Sequence, residues 1–196
     1  MTSVAEIAAC LTSGGVVVLP TDTVYGIAAS PLHPAAVDHI FELKNRPRTV
    51  NLPIMVADPA DLPKLGLHIN ERAARLLASP LVPGGLTLAL GFGDGPRPAW
   101  LDGREEVAVR IPDDAQMLAV LRLAGPLLVT SANAHGSPSG ETLDQVVGQL
   151  TAAPDLAVDG GVRHTVPSTL VNCRADPPVI ERHGAIPDDV IEGYLA

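Results

Sequence analysis

The sequence contains few aromatic residues, few cysteines and few cations, and each shortage narrows the possible classes of protein. Phe, Trp and Tyr make up 3 % of the 196 residues, so the core must be built from aliphatic side chains. Cys10 and Cys173 have no metal-ligand spacing, and we interpret both as small apolar residues. Lys and Arg number 13 against 22 Asp and Glu, and the resulting net charge of −9 does not by itself attract nucleic acid.

Long apolar runs and the common ligand-binding motifs are also missing. No apolar run approaches the roughly 20 residues that span a membrane, and the N-terminus lacks the basic and apolar parts of a signal peptide. We therefore expect a cytoplasmic protein. The chain has no GxxxxGKS/T loop, no GxGxxG after a strand, no HExxH and no CxxC, and its histidines have no zinc spacing.

Short apolar runs alternate with helical patterns along most of the chain. A capping box, Ser3-x-x-Glu6, opens the first helix, and the β-branched run Val16–Leu19 is typical of a buried central strand. Further helices are predicted at about 35–44, from Asn70, from about 113, over 142–150 and from 188. Further strands are predicted at 53–57, 86–90, 106–111, 126–130, 156–159, 169–172 and 179–182.

This order of elements predicts an α/β fold with helices packed on a partly parallel sheet. The last strands follow one another without helices between them, so we expect the sheet to be mixed. Prolines and glycines punctuate the loops, and we find neither a repeat nor a linker. A single domain over residues 1–196 is the simplest interpretation.

A dense group of polar residues follows the first predicted strand. Thr21, Asp22, Thr23 and Tyr25 place three hydroxyls and a carboxylate within five residues. Ligands in α/β sheets bind beyond the carboxyl ends of strands, so this segment is a candidate binding site. The alternative is a turn in which Thr and Asp bind their own backbone.

Cations are concentrated in the segment Lys44-Asn45-Arg46-Pro47-Arg48, at the end of a predicted helix. Lys and Arg two residues apart can hold a triphosphate, whereas the alternative is a helix end that complements the macrodipole. We expect Lys44 on the surface, where its loss changes stability little. Arg110 ends a predicted buried strand and therefore needs a partner.

Two more polar segments lie next to predicted strands. Residues 130–136, TSANAHG, follow an apolar strand, and residues 167–172, PSTLVN, place two hydroxyls at the start of another. Serine and asparagine at such positions can bind a phosphate or the edge of a purine. The alternative for both segments is a polar turn.

In this order, PTDTVYG, KNRP, PGGLT, VAVRIP, SAN, DGG, PSTLVN and ERHGAI resemble the YrdC/Sua5 family, over residues 20–186. The resemblance implies the short, single-domain form, with a twisted, mostly open sheet around a cationic cavity. It also implies threonylcarbamoyl-AMP synthesis from L-threonine, bicarbonate and ATP, with Mg²⁺. The product would pass to a downstream transferase complex that modifies tRNA to N6-threonylcarbamoyladenosine.

The resemblance further implies which residues bind each substrate. One set would bind threonine and its carbamate: Thr21, Thr23, Tyr25, Thr87, Arg110 and Ser168. A second set would bind ATP: Lys44, Arg46, Ser131, Asn133, Ser139 and Arg182. Lys44 and Arg46 would be the catalytic cations at the phosphates, and no metal site built from protein ligands is implied.

The sequence departs from the family pattern at positions close to the expected pocket. Asn45 stands where Gly is usual, a frequent His is replaced by a residue within 55–57, and the other departures are Asn51, His135 and Asn172. One alternative is therefore a related carbamoyl or nucleotidyl transferase with a different acceptor. Another is a non-catalytic module that binds double-stranded RNA or tRNA, provided that Arg46, Arg48, Arg104 and Arg110 form one patch.

Overall fold

The computed structural model describes residues 2–95, 97–101 and 103–195, and one mixed sheet runs through it. The strands are β1 Val17–Leu19, β2 Gly26–Ala29, β3 Ile54–Met55, β4 Leu86–Gly91, β5 Glu106–Arg110, β6 Leu127–Ser131, β7 Leu156–Ala157, β8 Thr169–Asn172 and β9 Val179–Arg182. Their order is β7-β1-β2-β6-β3-β5-β4-β8-β9. The pairs β1–β7, β3–β5 and β4–β8 are parallel and the others antiparallel, which confirms the expected mixed, open sheet.

The helices lie between the strands, close to where the sequence predicts them. They are α1 Val4–Thr12, α2 Pro34–Leu43, α3 Glu71–Leu77, α4 Ala115–Ala124, α5 Leu143–Val147 and α6 Asp188–Leu195. Short 3₁₀ turns occupy Pro59–Asp61, Pro63–Leu65 and Ala99–Leu101. No helix in the described part of the chain is long and apolar enough to cross a membrane.

Side-chain caps fix where several helices begin. Ser3 and Glu6 form the expected capping box, and Asn70 Oδ1 accepts the Ala73 N–H at 2.9 Å. The fourth helix begins later than predicted because Asp114 is its N-cap and accepts the Met117 N–H at 2.8 Å. Capping therefore explains the small shifts in the helix boundaries.

Strand β2 is absent from the sequence-based prediction. The segment 20–25 turns the chain back on itself, so that β2 pairs antiparallel with β1 through Leu19 and Gly26. Gly26, Ala28 and Ala29 are small and give no β-branched signal, which is why the pattern does not mark a strand. The turn places the polar segment at the end of β1 and the start of β2.

Apolar side chains cover both faces of the sheet around β1. Val18 packs into one cluster with Ile40 of α2, whereas Val17 and Leu19 pack into another with Ile7 of α1 and Val120 of α4. Burial on both faces explains why β1 is continuously apolar rather than alternating. Polar side chains are thereby confined to the ends of the strands, where the cavity described next lies.

Candidate functional site

A polar cavity of about 80 Å³ collects side chains from the ends and starts of six strands. Two arginines, Arg110 at the end of β5 and Arg182 at the end of β9, face it. Its hydroxyl groups come from Thr21, Thr23, Thr87, Thr130, Ser131 and Ser168. Its apolar wall is formed by Val24, Pro53, Met55 and Val129. The cavity therefore combines positive charge, many hydrogen-bonding groups and one apolar side.

Arg110 is held rigidly beside this cavity. Its Nε donates to the Gly84 carbonyl at 2.9 Å, its Nη1 to Thr23 Oγ1 at 2.7 Å and its Nη2 to Asp22 Oδ2 at 2.8 Å. The residue is only 4 % exposed, and burial lowers the pKa of its guanidinium while the Asp22 carboxylate acts in the opposite direction. An arginine stays protonated under such shifts, so the cavity contains a fixed, desolvated cation.

The hydroxyl of Thr21 shapes the turn after β1. Thr21 Oγ1 donates to the Val24 carbonyl at 2.6 Å and accepts the backbone N–H groups of Thr23 and Val24 at 3.2 and 3.3 Å. The turn that the sequence offered as an alternative is therefore present. Because Thr21 and Thr23 also line the cavity, the segment is both a turn and part of the site.

Thr87, Ser168 and Arg182 form a connected polar chain across β4, β8 and β9. The hydroxyls of Thr87 and Ser168 lie 2.7 Å apart, and Arg182 Nη2 donates to Ser168 Oγ at 3.0 Å. Arg182 Nε also donates to the Ser168 carbonyl at 3.0 Å. Arg182 is thus fixed by Ser168, and the structure brings these three predicted residues together.

Tyr25 lies outside the lining of the cavity. Its ring is buried in the core, its hydroxyl donates to the Gly161 carbonyl at 2.7 Å, and it accepts the Gly160 N–H at 3.0 Å. Burial raises the pKa of this phenol. Tyr25 therefore ties the segment 159–161 to the start of β2.

Lys44 is buried, so its predicted surface position is wrong. Only 1 % of the residue is exposed, and its Nζ donates to the carbonyls of Ser131 and Asn133. Burial, with a further contribution from the charge of Arg46, lowers the pKa of Lys44 to about 7. The ammonium thus faces the 131–133 segment and not the cavity.

Three further residues assigned to ATP, Arg46, Asn133 and Ser139, lie outside the cavity lining. Arg46 donates to the carbonyls of Val50 at 3.2 Å and Asn51 at 2.8 Å, and burial lowers the pKa of its guanidinium. Asn133 Nδ2 donates to the Ser137 carbonyl at 2.6 Å, whereas its Oδ1 is buried without a partner. Ser139 is half-buried beyond that loop.

The four arginines named for an RNA-binding patch do not line one cavity. Arg48 and Arg104 line a second cavity with Trp100, and the charge of Arg104 contributes to lowering the pKa of Arg46. Arg110 lies in the first cavity instead. Arg46, Arg48 and Arg104 therefore lie near one another, whereas Arg110 belongs to the first cavity.

Sequence reasoning placed Asp22 in a candidate binding segment but did not pair it with Arg110, and it did not identify the apolar wall as part of the site. The demand for a partner of Arg110 was a usable signal, since a buried strand seldom ends in an unpaired arginine. It did not tell which of 22 acidic residues fulfils that demand. Met55 gave no signal, because an apolar residue at the end of a buried strand is ordinary.

No group of three His, Cys, Asp or Glu side chains within the described ranges could hold a metal ion. The acidic residue closest to the cavity cations, Asp22, is already engaged by Arg110. A divalent cation at this site would therefore have to bring most of its ligands with a substrate, as Mg²⁺ does with nucleotide phosphates.

Comparison with known sequences finds relatives over nearly the whole chain. The family Sua5/YciO/YrdC, described as "Telomere recombination", matches residues 9–184. The threonylcarbamoyl-AMP synthase of Bacillus subtilis is 37 % identical over 195 residues, which are 98 % of this chain and 56 % of the relative. That of Pyrococcus abyssi is 35 % identical over 184 residues, or 93 % and 54 % of the two chains. The chain thus spans about half the length of these relatives.

Solved structures have the same fold. P. abyssi Sua5 complexed with L-threonine superposes with a TM-score of 0.88 at 33 % identity, covering 99 % of this chain and 58 % of that one. E. coli YciO superposes with a TM-score of 0.82 at 25 % identity, covering 93 % and 89 % of the two chains. The fold is therefore shared over nearly the whole chain.

Proposed function

This chain belongs to the Sua5/YciO/YrdC family, and we propose that it is an L-threonylcarbamoyladenylate synthase. The amine of L-threonine would combine with bicarbonate, lose water and give an N-carboxylate. An oxygen of that carboxylate would attack the α-phosphate of ATP, the bond from the α-phosphorus to the bridging oxygen would break, and pyrophosphate would leave. The product, threonylcarbamoyl-AMP, would serve the modification of tRNA.

The fixed cation Arg110 among hydroxyl groups is the observation that supports this proposal most. Both chemical steps concentrate negative charge, on a carboxylate, a carbamate and a triphosphate. Arg110 and Arg182 are oriented by protein acceptors before any ligand binds, so they would stabilise that charge without reorganising. Positioning and electrostatics suffice for phosphoryl-group chemistry of this kind, and no covalent nucleophile is required.

In this proposal the amino acid binds around Arg110. The guanidinium would pair with the threonine carboxylate, and the hydroxyls of Thr23, Thr87 and Ser168 would orient the amine and the carbamate. Thr21 would act by shaping the turn that presents Thr23. Tyr25 would act in the same indirect way, through the loop that its hydroxyl holds.

The nucleotide would lie along the segment 131–139 and reach toward the cations. Ser131, Asn133 and Ser139 would contact the nucleoside, and Arg46 and Arg182 would contact the phosphates. Magnesium would enter with ATP, because the phosphates supply the oxygen ligands that the described residues do not. Lys44, whose ammonium is buried, would contribute through the loop that it holds.

The domain organisation, the carbon source, the downstream partner and the cellular location are assigned from the same proposed activity. A single domain over residues 1–196, bicarbonate as the carbon source, transfer of the product to a downstream tRNA complex and a cytoplasmic location are all parts of the proposal. The likeness to solved structures supports L-threonine as a substrate, since the P. abyssi protein is described as complexed with it.

Pyrophosphate release tests the proposal directly. The purified chain is incubated with ATP, Mg²⁺, bicarbonate and a panel of amino acids, each component being omitted in turn. We expect release only when L-threonine and bicarbonate are both present. ATP binding without release that depends on threonine would contradict the assigned acceptor.

A different acceptor is the second candidate, and Met55 is the observation that favours it. Met55 lines the cavity next to Arg110, with which it is in register across β3 and β5, and it lies in the stretch 55–57 in which a His frequent in the family is replaced. A thioether gives a larger apolar surface than an imidazole and donates no hydrogen bond. Carbamoyl phosphate and other amines in the same assay would identify such an acceptor.

RNA binding is the third candidate, and it rests on Arg46, Arg48 and Arg104. A phosphate-driven site would lose affinity steeply with salt, with log K falling linearly in log salt concentration. Titration of double-stranded RNA and tRNA at several salt concentrations separates this candidate from the enzymatic ones. Weak binding that does not depend on salt would argue against it.

A further inference from the structure

We infer that Lys44 is a positioning residue, whose buried ammonium holds the loop 131–137 in the shape that binds the nucleoside of ATP. The inference rests on the proposed function, because it takes Ser131 and Asn133 as contacts of the nucleotide. It assigns Lys44 a different task from the phosphate contact that the sequence motif indicates.

The side chain and the carbonyl of Lys44 join the end of α2 to this loop. Its Nζ donates to the carbonyls of Ser131 and Asn133, and its own carbonyl accepts the His135 N–H at 2.9 Å. Three bonds from one residue thus fix alternate positions of the loop. The loop cannot move relative to α2 without breaking at least one of them.

The ammonium is poorly placed to bind a phosphate directly. Only 1 % of Lys44 is exposed, and two of its three N–H groups are directed at backbone carbonyls. Only the third N–H group is left for a phosphate, and any further contact would displace those carbonyls and leave them buried without donors, which is costly. Holding the carbonyls is therefore the task that this geometry favours.

A neutral residue secures the same loop from its other side. Gln149, just beyond α5, accepts the Ala134 N–H through Oε1 at 3.1 Å and donates from Nε2 to the Pro138 carbonyl at 3.2 Å. Gln149 is uncharged, so it cannot replace a cation at a phosphate. It therefore offers a variant that disturbs the loop without changing any charge.

Amide hydrogen exchange tests the holding role without a ligand. Lys44→Met keeps the length of the side chain and removes its donors, so exchange at residues 131–137 should quicken by about tenfold or more, while α1 and α4 stay protected. Unchanged exchange across this loop in a folded Lys44→Met protein would overturn the inference. Should Lys44→Met fail to fold, the same measurement is made on Gln149→Leu, where we expect the same direction of change.

Binding of ATP and adenosine then separates positioning from phosphate contact. If Lys44 positions the loop, Lys44→Met weakens both ligands by a similar factor, and Gln149→Leu does the same. If Lys44 touches the phosphates, Lys44→Met weakens ATP alone while Gln149→Leu still weakens both ligands, which would overturn the inference. Wild-type protein that binds neither ligand would instead contradict the proposed function, and the exchange result would still decide whether Lys44 holds the loop.

Discussion

Arg110 Nη2 and Asp22 Oδ2 lie 2.8 Å apart, and this pair joins the end of β5 to the turn after β1. The side chains of Arg110 and Asp22 are 5 % and 15 % exposed. Arg110 also binds Thr23 and the Gly84 carbonyl, so the pair connects three segments that are remote in sequence. Its contribution to stability and to substrate binding can be measured separately.

Removal of the Asp22 carboxylate should destabilise the fold strongly. Asp22→Ala leaves the Arg110 cation buried without its charge partner, and we expect a loss of about 3–5 kcal/mol in the free energy of unfolding. Urea unfolding measures it. The matched control is Asp38→Ala, which breaks a largely exposed pair with Arg48 and should cost less than about 1 kcal/mol. Equally small losses of unfolding free energy in both variants would show that the buried Arg110 does not need the charge of Asp22.

Asp22→Glu restores the charge at the same position and should recover part of the stability that Asp22→Ala loses. Threonine affinity should follow Arg110 through this series, because the guanidinium is oriented by the carboxylate. An affinity for threonine that stays constant while stability falls would show that Arg110 does not contact the amino acid.

Tyr25→Phe should affect stability more than substrate use. The variant removes the hydroxyl that holds Gly160 and Gly161, for which we expect a loss of about 1–2 kcal/mol in the free energy of unfolding. The KM for threonine should change less than about twofold, since the ring lies outside the cavity lining. Tyr194→Phe, at the other tyrosine, is the control. A large rise in KM without loss of stability would instead support direct contact with substrate.

The order of elements was predictable because each element carries its own signal. The capping residues Ser3 and Asn70 and the doubly buried strand β1 depend on local chemistry, which a single sequence displays. Strand β2 was missed because its small residues pair only through a turn whose geometry is set by Thr21. Local signals thus predicted most strands of the sheet but not the turn that pairs β2 antiparallel with β1.

Motif resemblance named most of the polar residues that line the cavity but not the way in which each one acts. The motif marks Lys44 as a cation, yet its burial results from the packing of α2 against the loop after β6, which no spacing reveals. The pairing of Arg110 with Asp22 likewise depends on the tertiary fold, because the two residues meet only once the sheet has assembled. Contacts between distant segments are what the sequence alone leaves undetermined.

Gly184→Ala should displace Ser168, which lines the cavity. A β-carbon at Gly184 would overlap the Pro167 carbonyl oxygen and come within 2.6 Å of the Ser168 carbonyl oxygen, so the backbone must shift. We expect a loss of about 1–3 kcal/mol in stability, together with lower pyrophosphate release. Gly193→Ala in α6 meets nothing within 4 Å and should instead stabilise by up to about 1 kcal/mol. Unchanged unfolding and activity in Gly184→Ala would show that the segment adapts easily.

The lowered pKa of Lys44 predicts a specific dependence of stability on pH. Because burial lowers this pKa from its ordinary 10.5 to about 7 in the folded state, the unfolded chain binds more protons between those values. The free energy of unfolding should therefore rise with pH across this window, by at most about 1.4 kcal/mol per pH unit. Below pH 7 both states are protonated, and the contribution becomes constant.

Subtraction of the Lys44→Met variant isolates this residue, since all other titrating groups are common to both proteins. The difference in unfolding free energy, wild type minus variant, should increase from about pH 7 toward pH 10 in urea titrations. A flat difference would show that the carbonyls of Ser131 and Asn133 stabilise the ammonium enough to restore its ordinary pKa. In that case the buried group is a permanent cation, and the loop that it holds would be insensitive to pH over the same range.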